Sequence, residues 1–312
     1  MSILYSILKP LVRKVVKGSS VHREESYEEF KKASYDVQSK FSFKLPEIRG
    51  YEFRDEMLNG FHIIVGKKEG TDPDRALVYY PGGGSRRWQL PYRNSIRNYI
   101  AGTGAELWIP LYPLLPDYDL MDETEFVIQV HQKMMERFEP EKIVWIGFSG
   151  GADVMFQAGR HMVQKYKELP MPGMMIPVSC SGLLMSEEAK ARMKEIDPRD
   201  PILHWNMFDT MVKYYDPKNE LPQYILGKAD EDDYTGFPKV IMYFAGDEVF
   251  AGIAPDYKKS FQRCGVKDYE IRVIEGMIHA WPVFTFLKEG REGEKMIIED
   301  IVRYFDGISH KE

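Results

Sequence analysis

Short apolar runs alternate with longer stretches of helical spacing along most of this chain, and that alternation limits the fold more than any other feature. The runs at 61–65, 76–80, 106–111, 142–146, 174–178, 239–244 and 269–274 are rich in Val, Ile, Tyr and Leu. Each has the length of a strand and is followed by turn residues. Between them, 93–101, 123–138, 153–167, 255–263 and 293–304 carry apolar residues at the three- and four-residue intervals of a helix. Repetition of this kind predicts an α/β fold, with a mostly parallel central sheet buried by helices on both faces. Many chemistries share that architecture, so function has to be read from particular residues.

The alternation breaks between about residues 181 and 236. There Asp197-Pro198, Asp200-Pro201, Asp216-Pro217 and Leu221-Pro222 punctuate helical patterns. A mostly helical insertion is expected, lying over the sheet edge to which the strand C-termini point. The acidic run Ala229-Asp230-Glu231-Asp232-Asp233 reads as a solvated loop, because it lacks the ligand spacing of a calcium site. Residues 1–20 hold Lys9, Arg13, Lys14 and Lys17 and no acid, while Leu4, Leu8, Leu11 and Val15 recur at helical spacing. This predicts an amphipathic helix docked on its own protein, with peripheral contact to an anionic membrane surface as the alternative. Ser6 and Lys9-Pro10 interrupt the apolar run that a secretory signal needs, and no segment reaches the roughly 18 uncharged residues of a membrane span.

Composition removes several function classes. A chain of 312 residues with 44% hydrophobic and 29% charged residues has material for a packed core, which excludes disorder as a whole-chain reading. Basic residues number 42 against 48 acidic, a net charge of −6, so no overall positive field exists to hold a phosphate backbone. Nucleic acid is therefore not an expected partner. Cys180 and Cys264 form no C-x-x-C pair, which argues against a disulfide framework or a cysteine zinc site and fits a reducing cytoplasm.

Three segments carry the chemistry. In Ile143-Val144-Trp145-Ile146-Gly147-Phe148-Ser149-Gly150-Gly151-Ala152-Asp153, an apolar strand runs into Gly-x-Ser-x-Gly and then into helical spacing. A nucleophile elbow needs this context: Ser149 sits on a strained turn, and the small residues Gly147 and Gly151 let the backbone fold tightly. Upstream, the run at 76–80 leads into Pro81-Gly82-Gly83-Gly84. Amides of Gly83 and Gly84, with that of Gly150 after the serine, are candidate donors to a developing oxyanion. A phosphate-cradling loop fails on detail, since neither Lys-Ser/Thr nor G-x-G-x-x-G spacing is present. Third, His279 in Gly276-Met277-Ile278-His279-Ala280-Trp281 follows a strand, where a general base can reach a serine on a neighbouring strand. His22, His62, His131, His161, His204 and His310 have no such placement. The acid that orients the imidazole falls at Asp247 or Glu248, both just past the strand at 239–244, and chemistry alone leaves the two open.

The order Gly-Gly-Gly, Gly-x-Ser-x-Gly, acid, Gly-Met-x-His resembles the hormone-sensitive-lipase-like branch of the α/β hydrolases, which are carboxylesterases and lipases. The likeness runs over about 75–281. Three details depart from it: Pro81 stands where the branch has histidine, Phe148 and Gly150 flank Ser149 in place of Asp and Ala, and Gly246-Asp247-Glu248-Val249-Phe250 stands where the branch reads Gly-x-Asp-Pro-Leu. Relatives carry a tyrosine nine residues after the acid; counting back from Tyr257 lands on Glu248, which is also two residues after Gly246, and the resemblance favours Glu248 over Asp247. The resemblance implies an α/β-hydrolase fold with a helical cap built from 1–45 and 181–236, and a core from 46–180 and 237–312. It also implies an acyl-enzyme on Ser149, no cofactor or metal, and an ester of short to medium acyl chain as small-molecule substrate. It allows a homodimer. Trp205, Met207, Phe208 and Met211 are candidate pocket lining. The rival readings are a catalytically inactive α/β hydrolase that binds a small molecule, and an amidase or peptidase using the same residues.

Overall fold

A computed structural model describes residues 2–16 and 26–309; Lys17, His22 and His310 lie outside the described residues. The strands are β1 (Tyr51–Leu58), β2 (Phe61–Lys68), β3 (Ala76–Tyr80), β4 (Glu106–Pro110), β5 (Ile143–Phe148), β6 (Met174–Val178), β7 (Lys239–Ala245) and β8 (Tyr269–Ile274). The helices are α1 (Ile3–Val16), α2 (Tyr27–Gln38), α3 (Arg93–Thr103), α4 (Leu120–Met135), α5 (Gly150–Lys165), α6 (Glu187–Ile196), α7 (Met207–Tyr215), α8 (Gln223–Leu226), α9 (Ala254–Arg263) and α10 (Lys288–Ser309). The strands form one sheet in the order β1-β2-β4-β3-β5-β6-β7-β8. It is antiparallel at β1–β2 and β2–β4 and parallel from β4 to β8.

Both faces of the sheet are covered, which explains why the central runs are continuously apolar. Along β5, Trp145 packs into the core under α4, α5 and α9, while Val144 and Ile146 pack into the opposite core with Tyr99 of α3 and Ile297, Ile301 and Phe305 of α10. All six residues of β5 are buried. β1 was not expected from the sequence, because Arg54, Asp55 and Glu56 break its apolar character. It is an edge strand with one solvated face, joined to β2 through Asn59 and Gly60 at φ 50° and 86°. That Asn-Gly pair is the local signal of a tight hairpin.

The N-terminal helix lies against the protein on a different face from the expected one. Tyr5 is buried, with its hydroxyl accepting from the Ile278 amide at 2.7 Å. Leu8 and Val12 face the central cavity, one helical face set by steps of three and four from Tyr5. Leu4 and Leu11 instead stand 54% and 51% exposed beside Ile7, because apolar residues surround this helix rather than forming one stripe. The Val15 side chain lies outside the described residues. Lys9 pairs with Asp247 and Arg13 donates to the Pro198 carbonyl. Among the described residues, no helix is long and apolar enough to cross a membrane.

Residues 181–236 carry α6, α7 and α8, and α7 meets α2 where Phe30 stacks on Tyr214 with centroids 4.9 Å apart. The acidic run at 229–233 is not fully solvated. Asp232 is buried 3.3 Å from the buried Arg160 guanidinium, and burial pushes its carboxyl up to about 6. A loop rich in carboxylates supplies here the counter-charge that a buried arginine on α5 requires, beside the Tyr224 carbonyl to which Arg160 Nε donates at 2.6 Å.

At the hairpin side of the sheet, Glu106 is buried at the start of β4. Its carboxylate accepts from Arg54 at 3.0 and 3.1 Å, from Arg137 at 3.0 Å and from Trp108 Nε1 at 2.9 Å. Burial acts to raise its pKa, but the Arg54 hydrogen bonds and charge, with Trp108 and Arg137, hold it below the usual carboxylate range. A depressed carboxyl stabilises the fold above its unfolded pKa and loses that contribution as pH falls. Glu106→Gln is expected to cost about 2 kcal/mol at pH 7 by urea unfolding. The gap should narrow as pH falls below the unfolded carboxyl's value of about 4.3 and toward the lower value held in the fold. A gap independent of pH would contradict this account.

Candidate active site

Ser149 is the single residue between β5 and α5, with φ 51° and ψ −127°. A non-glycine backbone in that region costs on the order of 1–3 kcal/mol and persists only where its surroundings fix it. Here the Ser149 amide donates to the Val178 carbonyl at 2.9 Å, and the Ser149 carbonyl accepts from Ala152 and Asp153 at 2.7 and 3.1 Å. The turn also brings α5 against the end of β3. A Cβ on Gly151 would lie 2.2 Å from the Tyr80 carbonyl oxygen, and one on Gly147 would lie 2.6 Å from Ala152 Cα. Both positions therefore require glycine.

Above this turn, Ser149 Oγ lies 2.8 Å from His279 Nε2, and His279 Nδ1 lies 2.6 Å from Glu248 Oε2. An ionised carboxylate only accepts, so Nδ1–H donates to Glu248 and Nε2 is left to accept from the serine hydroxyl. Burial alone would lower the His279 pKa. The Glu248 hydrogen bond and charge, with the nearby Asp200, outweigh it and raise the imidazole above its ordinary value. Asp247, the other acid proposed from sequence, points away: it pairs with Lys9 and lies 3.4 Å from Arg199. The fold thus brings Ser149, His279 and Glu248 into one chain of contacts and leaves Asp247 out of it.

Glu248 is itself held. Its Oε1 accepts from the Ala245 amide at 2.7 Å and from Ser179 Oγ at 3.0 Å. Ser179 Oγ in turn accepts from the Ala280 amide at 3.0 Å. One buried hydroxyl therefore ties the acid's loop to the histidine's loop. Asp200, from the insertion, accepts from the amides of Ile202, Leu203 and Val249, which fixes the residue next to Glu248. Sequence reading missed Ser179 and Asp200. The signal for Ser179 was its place directly after β6, level with Ser149 after β5.

The loop Pro81-Gly82-Gly83-Gly84-Ser85 is fixed through its carbonyls. Pro81 O accepts from Tyr112 Oη at 2.6 Å, Gly82 O from the Gln89 amide at 2.8 Å and Gly83 O from the Arg86 amide at 3.3 Å. Gly84 O accepts from Tyr215 Oη at 2.5 Å and Ser85 O from the Leu115 amide at 2.8 Å. Among the described residues nothing accepts from the amides of Gly83, Gly84 or Gly150. Gly150 meets the loop closely, since a Cβ there would lie 2.8 Å from Gly84 N. With every carbonyl of 81–85 engaged, the amides of Gly83, Gly84 and Gly150 are left without an acceptor among the described residues, and all three residues line one cavity with Ser149. The departure at Pro81 is met by the Tyr112 hydroxyl, which no local motif announces.

Ser149 and His279 open onto a cavity of about 1050 Å³. Leu8, Val12, Phe30, Phe148, Met207 and Met211 contribute apolar wall. Of the four insertion residues expected there, Trp205 and Phe208 do not line it. Phe208 packs on Phe250 at 5.5 Å, and Trp205 lies under Lys194 Nζ at 4.1 Å.

No curated protein matches the sequence. Among solved structures, the chain is similar to EstE5 soaked in ethyl alcohol, with a TM-score of 0.79 at 18% identity over 98% of this chain and 100% of that one. An esterase/lipase from an uncultured bacterium is similar at TM-score 0.78 and 18% identity, over 98% and 100%. An esterase from the bacterial hormone-sensitive lipase family is similar at 0.74 and 17%, over 97% and 99%. At such identities the likeness speaks for the fold. The sequence pattern of the α/β-hydrolase fold family matches residues 77–283, two-thirds of the chain. Pattern, strand order and elbow agree, and this chain belongs to the α/β-hydrolase fold family.

Proposed function

We propose that this protein is a serine hydrolase of carboxylic esters, acting through an acyl-enzyme on Ser149. The observation that carries the reading is the unbroken contact Glu248–His279–Ser149 beside three amides without acceptors, all opening on one large cavity. His279 takes the Ser149 proton as Oγ attacks the ester carbonyl, and Glu248 stabilises the imidazolium that forms. The Gly83, Gly84 and Gly150 amides donate to the carbonyl oxygen and stabilise the charge that develops on it. Collapse expels the alcohol, which takes the proton from His279. Water, activated by the same histidine, then attacks the acyl-enzyme and releases the acid. The apolar wall supports an acyl chain of short to medium length as the group housed there.

Ser149→Ala is expected to lower kcat for 4-nitrophenyl acetate by at least about 10³-fold while the far-UV circular dichroism stays unchanged. Retained turnover would contradict the assignment of the nucleophile.

For the acid, Glu248→Gln should lower kcat by about 10³- to 10⁴-fold, because a carboxamide stabilises neither the needed tautomer nor the imidazolium. Asp247→Asn should change it less than about tenfold. The reverse order would move the acid to Asp247.

The pH profile follows from the raised His279 pKa. The base works only when neutral, so kcat/KM should rise with pH through a midpoint above 6.5. Residual activity of Glu248→Gln should show that midpoint moved down, since the carboxylate is what raises it. A wild-type midpoint below 6.5 would contradict the geometry.

A further inference from the structure

The charged residues around the cavity do not match the rest of the protein. The chain carries a net charge of −6, yet Lys9, Arg86, Arg87 and Lys213 line the cavity against only Asp153 and Asp209. Both acids are engaged. Asp209 lies 3.5 Å from Lys190, and Asp153 is buried, accepts from the Ser181 and Gly182 amides, and has its pKa raised by burial. Lys9 is held by Asp247. Among the described residues, no carboxylate pairs with Arg86, Arg87 or Lys213.

Arg86 is not a loose surface side chain. It is half-buried, its Nε donates to Ser34 Oγ at 2.9 Å, and its guanidinium lies 4.7 Å over the Phe30 ring. These contacts orient the group without neutralising it. A partly desolvated cation left without a counter-charge is costly, and an anion bound beside it removes that cost. The three cations also sit on segments that touch the proposed oxyanion loop and line the cavity with it. Arg86 donates its amide to Gly83 O, Arg87 packs its carbonyl and Cγ against Gly83, and Lys213 lies two residues before Tyr215, whose hydroxyl holds Gly84. A purely aliphatic ester gains nothing from this arrangement.

We propose that the cavity selects an ester bearing a carboxylate remote from the scissile bond, held by Arg86, Arg87 and Lys213. This rests on the serine-hydrolase reading and names its substrate class. The anion reaches the same cations from either side of the ester, and the test separates the two. Monoethyl adipate against ethyl hexanoate places the carboxylate on the acyl side; 4-acetoxybutanoate against butyl acetate places it on the alcohol side. Hydrolysis is followed by proton release.

In one of the two pairs, kcat/KM should favour the anionic ester by at least about tenfold at low salt, the effect of a single charge-assisted bond. The preference should shrink at 0.5 M salt, on the order of the screening expected for a rim site. Arg87 and Lys213 are exposed, so Arg87→Gln/Lys213→Gln tests the cations without disturbing the core; Arg86→Gln is the second variant. Each should reduce the preference by about threefold or more. Equal or faster hydrolysis of the neutral ester in both pairs overturns the proposal and leaves the hydrolase reading standing. A preference that survives both variants overturns its assignment to these residues. No hydrolysis of any of the four esters overturns the hydrolase reading together with it.

Discussion

The turn at Ser149 sets the terms for everything around it. A serine at φ 51° has to be held there, and what holds it is the approach of α5 to the end of β3, with Gly151 against Tyr80 and the Ser149 amide on Val178. That approach is available only because β3, β5 and β6 lie side by side and parallel, with loops leaving from the same edge. The same edge delivers Gly83 and Gly84 after β3, Ser179 after β6, Glu248 after β7 and His279 after β8. Strain at one residue is thus balanced by packing contributed by the whole centre of the sheet.

Around this turn, the site is built by hydrogen bonds that fix polar groups in advance of any substrate. Ser179 links the loops that carry Glu248 and His279, and Asp200 reaches in from the insertion to fix Val249. Tyr112 and Tyr215 occupy the carbonyls at 81 and 84, so the amides of that loop stay available. In the proposed reaction, donors positioned in this way need no reorganisation when charge develops. Tyr5 belongs to the same scheme, since its hydroxyl meets the amide next to His279 and anchors α1 across the cavity wall.

Much of this was legible in the sequence, and what was not has specific causes. The central strands and long helices could be read because a sheet buried on both faces imposes unbroken apolar runs. β1 escaped because an edge strand keeps charged residues on its solvated face, although Asn59-Gly60 marked its turn. Ser149, Gly83, Gly84, Gly150 and His279 were readable as motifs since each is dictated by local backbone geometry. Glu248 and Asp247 could not be separated by chemistry; only the spacings to Gly246 and Tyr257 favoured Glu248, and the fold directs the two side chains to opposite partners. Tyr112, Tyr215, Ser179 and Asp200 were invisible because each acts on a loop far away in sequence, through hydrogen bonds that no local pattern announces. The stripe of α1 was misassigned for a related reason, that a helix apolar on most sides does not declare which side is covered.

The central claim is that Ser149 is an activated nucleophile, and covalent labelling tests it most directly. A fluorophosphonate probe should lose fluoride and attach one phosphonyl group to Ser149, found by peptide mass spectrometry. Labelling should rise with pH through the titration of His279 and become far slower in Glu248→Gln. A native, folded protein that takes up no label at Ser149 would contradict the account.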